Sequence, residues 1–104
     1  MLKPKKSLGQ NFLIDNNILK KISKLKEINE NNIIEIGPGT GNLTNEILKL
    51  RPKKLILIEK DSKLYSQLSE NFKQNKKVKI INKDILEIDL ESLVKKDTII
   101  FGNL

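Results

Sequence analysis

Three glycines at alternate positions and two carboxylates that each follow an apolar run are the residues here whose types and spacing could do chemistry. The glycines are Gly37, Gly39 and Gly41 of Glu35-Ile-Gly-Pro-Gly-Thr-Gly41, directly behind the run Asn32-Ile-Ile-Glu-Ile36. Glycine lets a backbone turn sharply and approach a ligand that a Cβ would exclude. The free N–H groups of a following helix can meet something anionic or polar. An ordinary strand-to-helix turn is the bland account, but three alternate glycines exceed what a turn requires, which favours a nucleotide-type ligand. Glu59 closes the next apolar run, 22 residues after Gly37. There an acidic side chain can accept hydrogen bonds from both ribose hydroxyls of an adenosine, the competing reading being a solvated strand-end carboxylate. Asp84, in Lys83-Asp-Ile-Leu86, stands where a carboxylate could accept a bond from an adenine amino group or cap a loop, and the residues alone do not choose.

Other chemistries are excluded or disfavoured. The chain has no Cys and no His, which removes disulfides, thiolates, the imidazole base and the commonest metal ligand. No metal site is expected. The dinucleotide fingerprint is G-x-G-x-x-G, and here the third glycine comes one residue early, which counts against a nicotinamide cofactor.

These residues need elements to hold them, and apolar periodicity supplies an alternation of strands and helices. Asp15 is a plausible N-cap for a helix with Ile18, Leu19, Ile22 and Leu25 on one face, running to about Lys26. Asn32–Ile36 reads as a strand, Leu43 to Leu50 as a helix, and Lys54–Ile58 as a second buried strand. Asp61 then opens a helix carrying Leu64, Leu68 and Phe72 four residues apart. Val78–Ile81 is a third strand and Thr98–Phe101 a fourth, after a connection whose Leu90, Leu93 and Val94 suit a short helical turn. Strands joined through helices run parallel, so the expected fold is α/β, the first half of a Rossmann-like doubly wound parallel sheet.

With 104 residues there is room for one small domain. No apolar run approaches the length of a membrane span, and no secretory signal opens the chain, so a soluble, cytoplasmic protein is expected. The net charge of +7 is uneven: residues 1–26 carry seven Lys against Asp15, a net of +6, and residues 27–104 only +1. A basic arm over 1–26 beside a near-neutral domain over 27–104 can attract a polyanion, although a general richness in lysine explains the arm equally well.

Four motifs in order give a family resemblance. Ser7-Leu-Gly-Gln-Asn-Phe-Leu13, the glycine loop Glu35–Gly41, Glu59-Lys-Asp61 and Gly102-Asn-Leu104 together resemble the ribosomal RNA adenine N6-dimethyltransferases, a group of class I S-adenosylmethionine-dependent methyltransferases. The resemblance covers the whole chain. It implies that Asn11 and Leu13 close over the methionine and nucleoside end of the cofactor. Gly37 and Gly39 would line its methionine and ribose portion, Glu59 hold the ribose, and Asp84 with the Ile85 backbone read the adenine. Asn103, also at the cofactor, and Leu104 would hold the target base as the catalytic pair. The enzymes resembled transfer two methyl groups to N6 of each of two adjacent adenines near the 3′ end of small-subunit ribosomal RNA. S-adenosylmethionine as cofactor, the immature small subunit as partner, ribosome biogenesis as setting and a monomeric state follow as expectations.

Leu104 falls inside the motif Asn-Leu-Pro-Tyr of the family, so these 104 residues are expected not to catalyse by themselves. The nearest rival is the sister group that methylates an adenine of large-subunit RNA and confers macrolide resistance. Gly-Pro-Gly-Thr-Gly and Asn-Leu favour the small-subunit group, since the sister group more often has a loop lysine and Asn-Ile. A non-catalytic RNA-binding factor on the same fold is the third reading, and retention of Glu59, Asp84 and Asn103 argues against it.

Overall fold

The computed structural model describes residues 12–13, 28–94 and 98–102, and the helix expected between Asp15 and Lys26 lies outside them. Five strands, β1 (Phe12–Leu13), β2 (Asn32–Ile36), β3 (Lys54–Ile58), β4 (Val78–Ile81) and β5 (Thr98–Gly102), form one sheet in the order β1-β5-β2-β3-β4. Every pairing is parallel. Helix α1 (Asn42–Lys49) joins β2 to β3, and α2 (Ser62–Phe72) joins β3 to β4. A 3-10 turn at Ile85–Glu87 and the single-turn α3 (Leu90–Leu93) carry the chain from β4 across to β5.

The strands read as continuous apolar runs because both faces of the sheet are covered. On one face Ile33, Leu55, Leu57, Ile99 and Phe101 pack against Leu43 and Ile47 of α1 and Leu68 of α2. On the other, Ile34, Ile36, Ile58 and Ile100 are covered by Ile85, Ile88, Leu90, Leu93 and Val94 of the return connection. Burying one such side chain contributes roughly 1.5–3 kcal/mol, and Ile33, Ile34, Ile47, Leu55, Leu57, Ile100 and Phe101 are all at most 1% exposed. The Asp61 cap is present, its carboxylate accepting from the Leu64 N–H at 2.9 Å.

Two elements differ from the sequence reading. Phe12–Leu13 forms a strand on β5, in register with Ile100 and Phe101, within a segment read as a basic arm. Two residues carry no periodicity, and what makes them a strand is the unpaired edge of β5. Strand β5 also continues one residue further, to Gly102, which pairs with Ile36.

Strand order reverses at β2: the chain proceeds outward through β3 and β4, then returns to place β5 on the other side of β2. That is the switch point beside which an open α/β sheet opens its crevice, at the carboxyl ends of the strands. The opposite edge has its own peculiarity. After α1 the Arg51 N–H donates to the Leu48 carbonyl at 3.1 Å with φ 57°, a left-handed position that favours Gly or Asn, and Pro52 follows. Glu30 has φ 62° and donates its N–H to the Arg51 carbonyl at 2.9 Å. Each left-handed non-glycine residue costs roughly 1–2 kcal/mol.

Candidate active site

The glycine loop leaves β2 still attached to β3, with the Gly37 N–H donating to the Ile58 carbonyl at 2.9 Å. Gly37, Gly39 and Gly41 have φ of 68°, 59° and 90°, so the alternate spacing in sequence is an alternation of left-handed conformations that only glycine takes up without strain. The three do not serve the same end. A Cβ on Gly41 would lie 3.3 Å from Leu68 Cδ2 and 3.4 Å from Phe72 Cε2, so this glycine lets α2 pack against the start of α1. A Cβ on Gly39 would meet nothing within 4 Å among the described residues, so the turn is open on their side.

Glu59 is only 5% exposed, which overturns the alternative of a solvated strand-end carboxylate. Its Oε1 accepts from the Gly39 N–H at 3.1 Å and its Oε2 from the Asp61 N–H at 3.0 Å. One carboxylate thus ties the glycine loop to the start of α2. A carboxylate has about four acceptor sites, so the two amides leave each oxygen with capacity for a hydroxyl donor. Asn82, which the sequence reading passed over, holds this corner from behind: its Nδ2 donates to the carbonyls of Glu59 at 2.9 Å and Lys60 at 3.2 Å. Its signal was faint, a single polar residue behind an apolar run.

Asp84 caps the 3-10 turn, Oδ1 accepting from the Leu86 N–H at 2.9 Å, while no bond to Oδ2 is formed among the described residues. The loop-cap reading is therefore realised through one oxygen and leaves the other. Ile85 packs its side chain under the sheet. Gly37, Gly39 and Glu59 are brought together, and Asp84 follows Asn82 on the same edge. Leu13 is described only as backbone of β1, and Asn11, Asn103 and Leu104 lie outside the described residues.

Beneath the loop sits a second buried carboxyl. Glu35, in mid-strand on β2, is 0% exposed, and Thr44, in the first turn of α1, donates its hydroxyl to Glu35 Oε1 at 2.6 Å. Oε2 has no partner. Burial pushes the Glu35 carboxyl up to about 7, against the opposing pull of the Thr44 hydroxyl. The sequence signal was a carboxylate in the middle of Ile-Ile-Glu-Ile, where a central strand admits only apolar or partnered side chains. No cluster of three or more acidic side chains suited to a metal ion occurs among the described residues.

A switch-point crevice, a left-handed glycine loop and a buried acid behind the second helix are shared by many nucleotide-binding sheets, and sequence comparison narrows them. Residues 1–104 match the family model described as ribosomal RNA adenine dimethylase. The chain belongs to this dimethylase family. A ribosomal RNA small subunit methyltransferase A of Pelagibacter ubique is 48% identical over 103 residues, which is 99% of this chain and 38% of that protein. The chain therefore spans about two fifths of the length of the curated relatives it matches. Among solved structures, a dimethyladenosine transferase from Plasmodium falciparum aligns with TM-score 0.58 at 29% identity, over 76% of this chain and 30% of that one. The 23S rRNA methyltransferase ErmE aligns with TM-score 0.57, also at 29% identity, over 76% of this chain and 32% of its own. The fold is that of the class I methyltransferases, and no helix among the described residues is long and apolar enough to cross a membrane.

Proposed function

We propose that the protein is an S-adenosylmethionine-dependent dimethyltransferase acting on N6 of two adjacent adenines near the 3′ end of small-subunit ribosomal RNA, as part of ribosome maturation in the cytoplasm. The observation that carries the reading is the buried Glu59 carboxylate, poised between the Gly39 and Asp61 amides at the crevice end of β3. The residues fit the cofactor: an open face at Gly39, acceptor capacity left on Glu59 and an Asp84 oxygen that no described residue engages suit the loop-lining, ribose and adenine roles in turn. Gly37, Asn11 and Leu13 complete the set, with the Ile85 backbone beside the adenine. Residues 27–104 are then the first part of a cofactor-binding domain, and 1–26 an arm that faces RNA. The protein works as a monomer.

When bound, the cofactor supplies an already activated methyl group on a sulfonium, so little acid–base machinery is required. The residues of this chain position the acceptor. The amide oxygen of Asn103 and the carbonyl of Leu104 accept the two amino protons of an adenine taken out of its stack, which draws the nitrogen lone pair out of conjugation. Water is excluded and the nitrogen held in line.

The test uses the full-length protein with labelled S-adenosylmethionine and, separately, unmethylated small-subunit particles and large-subunit RNA. Transfer to adjacent small-subunit adenines is the expected result. Transfer to large-subunit RNA instead would move the protein to the macrolide-resistance group; a 23S rRNA methyltransferase, ErmE, is among its structural neighbours. Cofactor binding without transfer to either would leave a non-catalytic RNA-binding factor.

A further inference from the structure

Exposed cations concentrate at one end of the strand axis. The described residues carry 11 Lys and Arg against 10 Asp and Glu, a near balance that lysine-rich composition would spread evenly. Instead Arg51, Lys53, Lys54, Lys76, Lys77 and Lys79 gather at or just before the starts of β3 and β4, all exposed. The carboxyl ends of the same strands lead instead into a mixed set, Glu59, Asp61, Asp84 and Glu87 interleaved with Lys60, Lys63 and Lys83. Two adjoining grooves at the basic edge, of about 590 and 360 Å³, share Lys77, and Glu30 is the only acid among the described residues that line them. No salt bridge among the described residues engages any of the six cations.

Arg51 adds an independent observation. Its position after α1 is left-handed, where glycine is the unstrained choice, and the chain nevertheless holds an arginine there, fixed by backbone bonds to Leu48 and Glu30. The left-handed turn ends α1, and filling it with arginine in place of glycine sets a cation on the groove rim.

We propose that this amino-terminal edge of the sheet is a second RNA contact surface, binding the phosphate backbone without reading bases. It rests on the reading of the protein as an RNA methyltransferase and deepens it. The first groove is lined by Arg51, Lys53 and Lys77 with Asn29, Glu30 and Pro52, and the second sets Lys54, Lys76, Lys77 and Lys79 around an aliphatic floor; neither has an aromatic side chain among its lining residues, so the edge offers cations for phosphates and no stacking platform for bases. Five-residue strands put the edge roughly 17 Å from the crevice. That separation is short beside an RNA segment of a few nucleotides, so the RNA around an extruded target base can reach both.

The experiment titrates full-length protein with unmethylated small-subunit ribosomal RNA between about 50 and 200 mM salt. Arg51→Gly combined with Lys53→Gln and Lys77→Gln is expected to weaken binding about tenfold at the upper salt and to flatten the slope of log K on log salt by about two to three. Arg51→Gly alone tests folding, since it relieves the left-handed strain: its melting midpoint is expected to stay or rise while RNA affinity falls. An unchanged slope in the triple variant would overturn the surface. Unchanged RNA binding with lost binding to polyglutamate would assign the edge to an acidic protein and overturn it equally. Methyl transfer by the unmodified protein to the same RNA is scored apart: its absence sinks the proposed function, whereas active enzyme with an unaltered slope in the variant sinks only the edge.

Discussion

Thr44 in the first turn of α1 donates its hydroxyl to Glu35 in the middle of β2 across 2.6 Å, a buried brace that closes the base of the glycine loop spanning Gly37 to Gly41. The loop is thus held at both levels, by Glu35 and Thr44 below and by Glu59 on the Gly39 amide above.

Glu35 makes the stability of the fold depend on pH. Its carboxyl rises from 4.5 to about 7 on folding, so the folded state binds the extra proton between those values. The stabilisation is full below about 4.5 and is lost as pH rises toward 7, a total on the order of 3 kcal/mol. Denaturant unfolding of the full-length protein at pH 5 and pH 8 is expected to show this decline. Glu35→Gln, neutral at both, should remove most of it, and an equal decline in that variant would locate the effect elsewhere.

Glu59→Ala is expected to weaken S-adenosylmethionine binding by about 1.5–3 kcal/mol, since acceptors for the ribose hydroxyls are lost and the Gly39 and Asp61 amides lose their partner. Calorimetry on folded full-length protein measures it. Unaltered affinity would remove Glu59 from the cofactor site and leave it as a brace for the loop.

The glycines should respond unequally to alanine. Gly41→Ala meets Leu68 and Phe72 at 3.3 and 3.4 Å as well as its left-handed backbone, whereas Gly39→Ala meets the backbone strain alone. A loss of about 1–2 kcal/mol is expected for Gly39→Ala and at least 1 kcal/mol more for Gly41→Ala. Thermal unfolding compares them, and equal losses would show that α2 shifts freely to admit the added methyl.

Asn103→Ala in the full-length enzyme is expected to reduce the rate of methyl transfer far more than it weakens cofactor binding, because its amide acts on the reacting amino group. Single-turnover transfer to unmethylated small-subunit particles isolates that step. An Asn that merely caps a turn would lower stability and leave the rate per cofactor-bound enzyme nearly unchanged.

The amino-acid sequence by itself determined the alternation of strands and helices, because a sheet covered on both faces demands runs such as Ile33–Ile36 and Leu55–Ile58, and helices carry their buried residues at fixed spacing. It also determined the glycine loop and the Asp61 cap, since left-handed backbone and capping are local demands that few residue types meet. Tertiary structure decided what depends on distant neighbours. Phe12–Leu13 is a strand only because β5 offers an edge, and Gly41 is a packing glycine only because Phe72 of α2 lies over it. Glu59 is a buried clasp because the Gly39 amide, twenty residues away, folds onto it. The basic edge exists only once parallel strands align their starts on one side, a relation that charge counted along the chain does not contain.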